Sequence, residues 1–522
     1  MTTPLIASET NSLVDLIEKS LKTYAEKPAY HCLGQTLTFA EIDQKSYALA
    51  CYLQQNAGLQ EGDSIAIQLP NLIQYPIAVY AALRAGLIIV NTNPLYTPRE
   101  MHHQFKDAGV KAVIILDDLL PKLDGIVADT AIETVISTSA TDLITQHVAK
   151  NEDVISFNYA LEQGAALSLY SREKDELDAP CLLQYTGGTT GVSKGAVLTH
   201  GNILSNCGQT LDFLLDYCQP AKEIFVCPLP VYHIYAFTVN LVTFFSRGNL
   251  NILIPNPRDM GAFVQAIKPF KFTGFSGINT LFVGLCQQAD FKALDFSEFK
   301  LTISGGAALT TSASELWQEV TGCSITEGYG LSETSPVLCM NKPGNEQIGT
   351  VGRPVFGTQI QLRVNDKEVV DGEEGEIVAK GPQVMTGYWQ RAEETVQAMT
   401  FDGFFKTGDI GIRLPNGNIK IVDRLKDMII VSGFNVYPNE VEGVLVAHPN
   451  VIEAAVVGER DEKSGEIVTC YLTVNNNVNE QDIKEHCKNH LTGYKVPKKI
   501  TIMDELPKST VGKILRKELR KI

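Results

Sequence analysis

The chain has 522 residues, too many for one ordinary hydrophobic core, so its size predicts two or more domains. Hydrophobic residues make up 44% of it and charged residues 20%, which excludes a disordered or collagen-like chain. A formal net charge of -16 at pH 7 excludes a general affinity for nucleic acid, because most of the surface would repel a polyphosphate backbone.

The N-terminal MTTPLIASETNSL has neither a basic stretch nor an apolar run, so no secretory leader is predicted. The most apolar window, 77–90, is interrupted by Arg84 and is too short to span a bilayer. Eleven cysteines are scattered without a CxxC pair or a His/Cys cluster at zinc spacing. A reduced, cytoplasmic protein is therefore expected, without a disulfide framework, structural zinc or a membrane span.

Short β-branched runs such as KAVIIL (111–116) and FKLTIS (299–304) sit beside longer stretches with helical spacing. This is the α/β signature of parallel sheets covered by helices. Around 346–422, turns rich in Gly, Pro and Asn separate short strands, which predicts a small antiparallel sheet or distorted barrel. From 424 onward mixed α/β texture returns, with a helix expected over 439–448 and strands over 452–458 and 466–474, enough for a small independent domain. The charged DRLKD (423–427) at the join reads as an interdomain hinge or an ordinary surface turn. Residues 495–522 carry nine Lys/Arg against three acids, either a local basic pocket for an anion or a solvated face.

Four segments carry chemistry. In YTGGTTGVSKGAVLTHGN (185–202), Thr186, Gly187, Gly188, Thr189, Thr190 and Gly191 run consecutively toward Lys194. Glycines let backbone N–H groups turn toward an anion and threonines add donors without bulk, so the loop suits nucleotide phosphates; a flexible linker is the alternative. It is not a Walker A loop, since no GK[ST] follows at the required spacing. In EGYGLSETSP (327–336), Gly328, Tyr329, Gly330 and Ser332 precede Glu333, whose carboxylate could hold Mg²⁺ while Tyr329 stacks on a purine; a Gly-rich turn with a surface Glu is the alternative. FFKTGD (404–409) ends in Asp409, suited to ribose hydroxyls or simply to a turn. LPKSTVGKILRKEL (506–519) sets Lys513 after Gly512 and before a basic helix, where an ammonium could neutralise charge at a transferring centre or be one solvated lysine among many.

In this order and at these separations, the four segments resemble the acyl-CoA synthetase, adenylate-forming (firefly luciferase-like) superfamily over nearly the whole chain, from about residue 10 to 522. LPVYHIYAF (229–237), SGGAAL (304–309), KGPQVMTGYW (380–389) and DRLKDMIIVSGFNVYPNEVE (423–442) match further, and within the superfamily the wording reads like the bacterial long-chain fatty acid:CoA ligases. The resemblance implies an α/β fold. A large domain (1–422) would hold two layered α/β subdomains plus a small distorted β-barrel, followed by a hinge (423–426) and a small mobile α+β domain (427–522). It implies ATP, Mg²⁺ and coenzyme A as ligands. Thr186 and Glu333 would serve the metal, Tyr329 and Gly305, Gly306 and Ala307 the adenine, and Asp409 and Arg424 the ribose. Lys513 would be the adenylation lysine, Lys426 the pivot, Gly433 the neighbour of the pantetheine arm, and His233 would border the acyl carboxylate. The expected reaction is two-step fatty acid:CoA ligation through an acyl-adenylate. Medium-chain or aryl-CoA ligation and a catalytically silent scaffold are the alternatives. A homodimer and a peripheral contact with the inner face of the membrane are consistent with the same resemblance.

Overall fold

Both parallel sheets expected from the β-branched runs are present in the computed structural model, which describes residues 10–145, 154–170, 177–186, 193–461, 463–475, 478–509 and 512–521. The chain divides into two compact units. One comprises Met1–Ile348, Pro354–Thr358 and Gly381–Gln397; the other comprises Gly349–Arg353, Gln359–Lys380 and Ala398–Ile522.

The first unit contains two large sheets. One has Ser64–Gln68 at its centre, flanked by Ile88–Asn91 and Val110–Leu116 as parallel neighbours. Every residue of Ser64–Gln68 is buried, as a strand covered by helices on both faces requires. Beyond Ile88–Asn91 come Pro180–Thr186, Lys194–Thr199 and finally the two-residue strand Gly387–Tyr388. The other sheet has Ile224–Cys227, Gly274–Gly277, Leu301–Ser304 and Ile325–Gly330 side by side and parallel, with Val337–Met340 added antiparallel. Local sequence starts the helices that cover them. Thr97 caps Pro98–Asp107 in a reciprocal pair with Glu100, and Thr199 caps His200–Leu214 with Asn202.

The apolar window 77–90 resolves into the end of helix Gln74–Arg84 and the start of strand Ile88–Asn91, with Arg84 buried and donating to Ser46 Oγ and the Asp43 carbonyl at 2.9 Å each. Among the described residues no helix is long and apolar enough to cross a membrane. All eleven cysteines are buried thiols.

The second unit begins with an antiparallel sheet of the expected kind, grouped here with the C-terminal part and not with the 1–422 domain, in the order Lys367–Glu368, Gln359–Val364, Glu374–Lys380, Phe405–Arg413, Ile419–Arg424. Its C-terminal part pairs Val451–Asp461 antiparallel with Gly465–Val474 and adds Lys499–Ile502 parallel to the latter. Helices Pro438–Val446 and Glu480–His490 bury Val441, Leu445, Ile483 and Cys487 against Val456, Cys470 and Leu472 of this sheet. Within 423–427, Asp423 and Arg424 end the strand Ile419–Arg424 and 425–427 form a turn, with Asp427 N donating to Arg424 O at 3.0 Å.

The basic tail is largely spent on ion pairs inside this unit. Lys495 pairs with Glu440, Lys499 with Glu459, Lys508 with Glu453, Arg516 with Glu442 and Arg520 with Asp427. The helix after Lys513 is a single turn, Arg516–Leu519.

Candidate active site

In the first unit, strands Pro180–Thr186 and Lys194–Thr199 lie antiparallel with Thr186 opposite Lys194, so both ends of the Gly/Thr loop are held side by side. Gly187, Gly188, Thr189, Thr190 and Gly191 fall outside the described residues. A short turn, Ser332–Thr334, packs against both strands and carries Glu333, which is buried.

A second segment reaches the same place. Strand Gly387–Tyr388 pairs with Lys194–Thr199 through Gly387 opposite Val197 and Tyr388 opposite Ala196. Trp389 N donates to Gly195 O, and Met385 N to Glu333 O, each at 2.8 Å. The Tyr388 hydroxyl donates to Glu333 Oε1 at 2.9 Å, and Lys194 Nζ stands 5.0 Å from the centre of the Tyr388 ring. Burial, and after it the Glu333 charge, raises the phenol's pKa, so Tyr388 stays a donor.

Beside this cluster, the loop 305–307 leaves the C-terminal end of Leu301–Ser304, next to Ile325–Gly330 with its Gly328, Tyr329 and Gly330. Ligands of open α/β sheets bind at such carboxyl ends. A Cβ on Gly305 would sit 3.3 Å from both the Gly328 carbonyl oxygen and the Tyr235 ring. A Cβ on Gly330 would sit 1.7 Å from the Pro336 carbonyl oxygen. That close crossing of two backbone segments closes the turn that holds Ser332 and Glu333.

Glu327 carries no role in the motif pattern, yet its buried carboxyl accepts from Leu309 N at 3.4 Å, and burial pushes its pKa up to about 7. It anchors the far end of the 305–309 loop.

His233 caps the short helix Ile234–Ala236, with Nδ1 accepting from Tyr235 N at 3.3 Å. That ring nitrogen is engaged in structure. A buried π-helical stretch, Phe237–Phe244, follows, and its Thr238 donates to Ser335 O at 2.7 Å, tying it to the Glu333 turn. π-helical turns of this kind recur at functional sites.

In the second unit, Asp409 and Arg424 face each other across paired strands, with Arg424 Nε 2.9 Å from Asp409 Oδ1. Asp409 is buried. Lys513 comes to the same place: its side chain keeps solvent access, but its surroundings are dense, and desolvation, followed by the charge of Arg424, lowers its pKa to about 8. Lys426 shares this environment, and desolvation and Arg424 lower its pKa too. Gly433, at φ +85°, turns the hairpin Ile429–Val431/Phe434–Val436 and borders a cleft of about 630 Å³ that includes Arg460, Asp461 and Ser464.

Arg516, read from sequence as one charge of a basic helix, anchors the segment that carries Lys513. Its Nη2 donates to Glu442 Oε2 at 2.8 Å and to Asn439 Oδ1 at 2.7 Å, and its Nη1 lies 3.4 Å from Asp427 Oδ2. The predicted site residues of the first unit thus gather around Glu333 and the 305–307 loop, and in the second unit Asp409, Arg424, Lys426 and Lys513 come together while Gly433 lines a different cleft.

Among the described residues no group of three or more His, Cys, Asp or Glu could hold a metal ion. One buried carboxylate, Glu333, beside the strands that end at Thr186 and Lys194 nevertheless suits Mg²⁺, which prefers few protein oxygens and takes the rest from phosphate and water. The donor chemistry of Glu333 and Thr186 is therefore compatible with the ion.

Hard oxygen donors in the first unit, and a buried carboxylate beside cationic side chains in the second, are side-chain types that a nucleotide-using enzyme employs. The chain belongs to the AMP-binding enzyme family: that family's description matches residues 17–389, and the AMP-binding enzyme C-terminal domain matches 440–513. A long-chain-fatty-acid–CoA ligase of Yersinia pestis is 42% identical over 98% of this chain and 94% of its own length. The anthranilate CoA ligase AuaEII, solved with anthranoyl-AMP, shares the fold at a TM-score of 0.90 and 24% identity, covering 99% of this chain and 98% of its own. ATP-bound MatB from Rhodopseudomonas palustris aligns at a TM-score of 0.85 and 28% identity, over 97% of this chain and 98% of its own.

Proposed function

We propose that this chain joins a long-chain fatty acid to coenzyme A, using ATP, in two steps through an acyl-adenylate. The observation that carries the chain-length assignment is the near-full-length similarity to the Yersinia pestis ligase. In the first step a carboxylate oxygen of the fatty acid attacks the α-phosphorus and pyrophosphate leaves. In the second the CoA sulfur attacks the acyl carbon and AMP leaves.

The carboxylate is already ionised at neutral pH, so no general base is needed. What remains for the protein is positioning and charge neutralisation. The loop between Thr186 and Lys194 cradles the phosphates, Glu333 with Thr186 holds Mg²⁺, and Asp409 with Arg424 holds the ribose. Loop 305–307 and Tyr329 line the adenine. Mg²⁺, when bound, neutralises phosphate charge. Lys513 offsets the charge that gathers as carboxylate and α-phosphate meet. His233 borders the acyl carboxylate without acting as base, in keeping with its capping role.

The two steps ask for different surroundings at one nucleotide, which a small domain pivoting at Lys426 in the 423–426 hinge supplies, bringing Gly433 to the pantetheine arm. The test separates the halves. Lys513→Ala should lose pyrophosphate release from ATP and palmitate yet still convert supplied palmitoyl-AMP to palmitoyl-CoA, and Gly433→Leu should do the reverse. Equal loss of both halves in either variant would count against the assignment. A homodimer and a peripheral membrane contact belong to the same proposal, and sedimentation and liposome flotation check them.

A further inference from the structure

KGPQVMTGYW (380–389) matches the family pattern without a role attached to any of its residues. Its strand Gly387–Tyr388 is only two residues long, yet it is held from two sides, by strand Lys194–Thr199 and by Thr395. It pairs with Val197 and Ala196, Trp389 N donates to Gly195 O, and Tyr388 N donates to Thr395 Oγ1 at 2.9 Å. Thr395 in turn donates to Arg391 O at 2.8 Å. The backbone of Tyr388 is thus held both by the neighbouring strand and by Thr395.

Its side chain meets both charges at the loop end. The hydroxyl donates to Glu333 Oε1 at 2.9 Å, and the ring presents its face to Lys194 Nζ at 5.0 Å. A hydrogen bond to one carboxylate oxygen restricts rotation of the group, and metal-ligating carboxylates are ordinarily oriented by such partners. A ring face beneath an ammonium restrains it without supplying a counter-charge, which leaves Lys194 available to an anion.

We infer that Tyr388 is a positioning residue of the adenylation site: its hydroxyl orients the Glu333 carboxylate for the divalent cation, and its ring independently steers Lys194 toward the nucleotide phosphates. This rests on the proposed roles of Glu333 and Lys194. It adds that one side chain couples them, through two chemically separable contacts.

Equilibrium binding separates the two contacts without turnover. The affinity for ATP would be measured by calorimetry, in the absence of fatty acid, with excess EDTA and again with saturating Mg²⁺. It would be done for the parent protein, Tyr388→Phe, Tyr388→Leu and Glu333→Gln, with a thermal melt of each. Tyr388→Phe keeps the ring and should leave metal-free affinity within about twofold while lowering the Mg²⁺-dependent gain about tenfold, the scale of losing an oriented ligand. Tyr388→Leu should lose that gain and weaken metal-free binding as well. A parent-like Mg²⁺ gain in Tyr388→Phe, with the gain lost in Glu333→Gln, would overturn the inference alone. A gain unchanged in Glu333→Gln would overturn the metal reading and the inference with it. Equal loss of metal-free and Mg²⁺-supported binding in Tyr388→Phe, with a lowered melt, would reduce Tyr388 to packing and also overturn it.

Discussion

Replacing Gly330 by alanine gives the sharpest steric test of the Glu333 turn. The new Cβ would lie 1.7 Å from the Pro336 carbonyl oxygen, where contacts under 3.0 Å essentially do not occur, and the obstacle is backbone, not a side chain that can swing away. The two segments must separate by about 1.3 Å, an overpacking strain of about 1–3 kcal/mol. The Leu331 N to Pro336 O hydrogen bond, now 3.2 Å, would be lost with it, for about 1 kcal/mol more. Glu333 lies three residues further on, and a misplacement of about 1 Å at a reacting centre costs roughly a hundredfold in rate. Pyrophosphate release with saturating ATP and palmitate should therefore fall about a hundredfold, with urea unfolding showing a loss of about 2–4 kcal/mol. Adenylation within twofold of the parent would refute the reasoning. Gly443→Ala is the control: it is exposed in helix Pro438–Val446 with nothing within 4 Å of the added methyl, and should stabilise the protein by about 0.5–1 kcal/mol.

Two further predictions concern the second unit. In the proposed reaction Lys513 must be charged to offset the adenylation transition state; desolvation lowers its pKa to about 8, so in the free enzyme the active form is lost as pH rises through that value. The kcat/KM for adenylation should decline above about pH 8, and Lys513→Arg, weaker overall, should not show that decline. Arg516→Ala would leave Glu442, a side chain only 15% exposed, without its forked partner, at a cost of about 3 kcal/mol. Amide exchange in Val451–Asp461 and Gly465–Val474, if it proceeds by opening of this unit, should accelerate about a hundredfold, and a change under threefold would contradict the structural role given to Arg516.

Much of this architecture can be read from local pattern. KAVIIL and FKLTIS became parallel strands because buried β-branched runs have few other stable arrangements. The turn-rich 346–422 texture became the antiparallel sheet that sets Asp409 opposite Arg424, so the sheet was legible in kind, though its register was not. Contacts at long sequence separation were illegible. Tyr388 reaches Glu333 across 55 residues through an edge strand too short to have a signature. Glu327 is only one more carboxylate in a Gly-rich segment until the fold buries it under Leu309. The basic tail was ambiguous for the same reason: composition counts the lysines and arginines, but Glu440, Glu442, Glu453 and Glu459, which neutralise most of their pairs, come from elements 40–74 residues away.

The central claim is most directly tested by AMP release from purified protein with ATP and Mg²⁺ against octanoate, palmitate, oleate and 4-coumarate, each with and without CoA. CoA-dependent turnover that favours palmitate and oleate is the predicted result. Preference for octanoate or 4-coumarate would contradict the long-chain assignment, and no AMP from any of the four acids, despite tight ATP binding, would contradict fatty acid:CoA ligation itself.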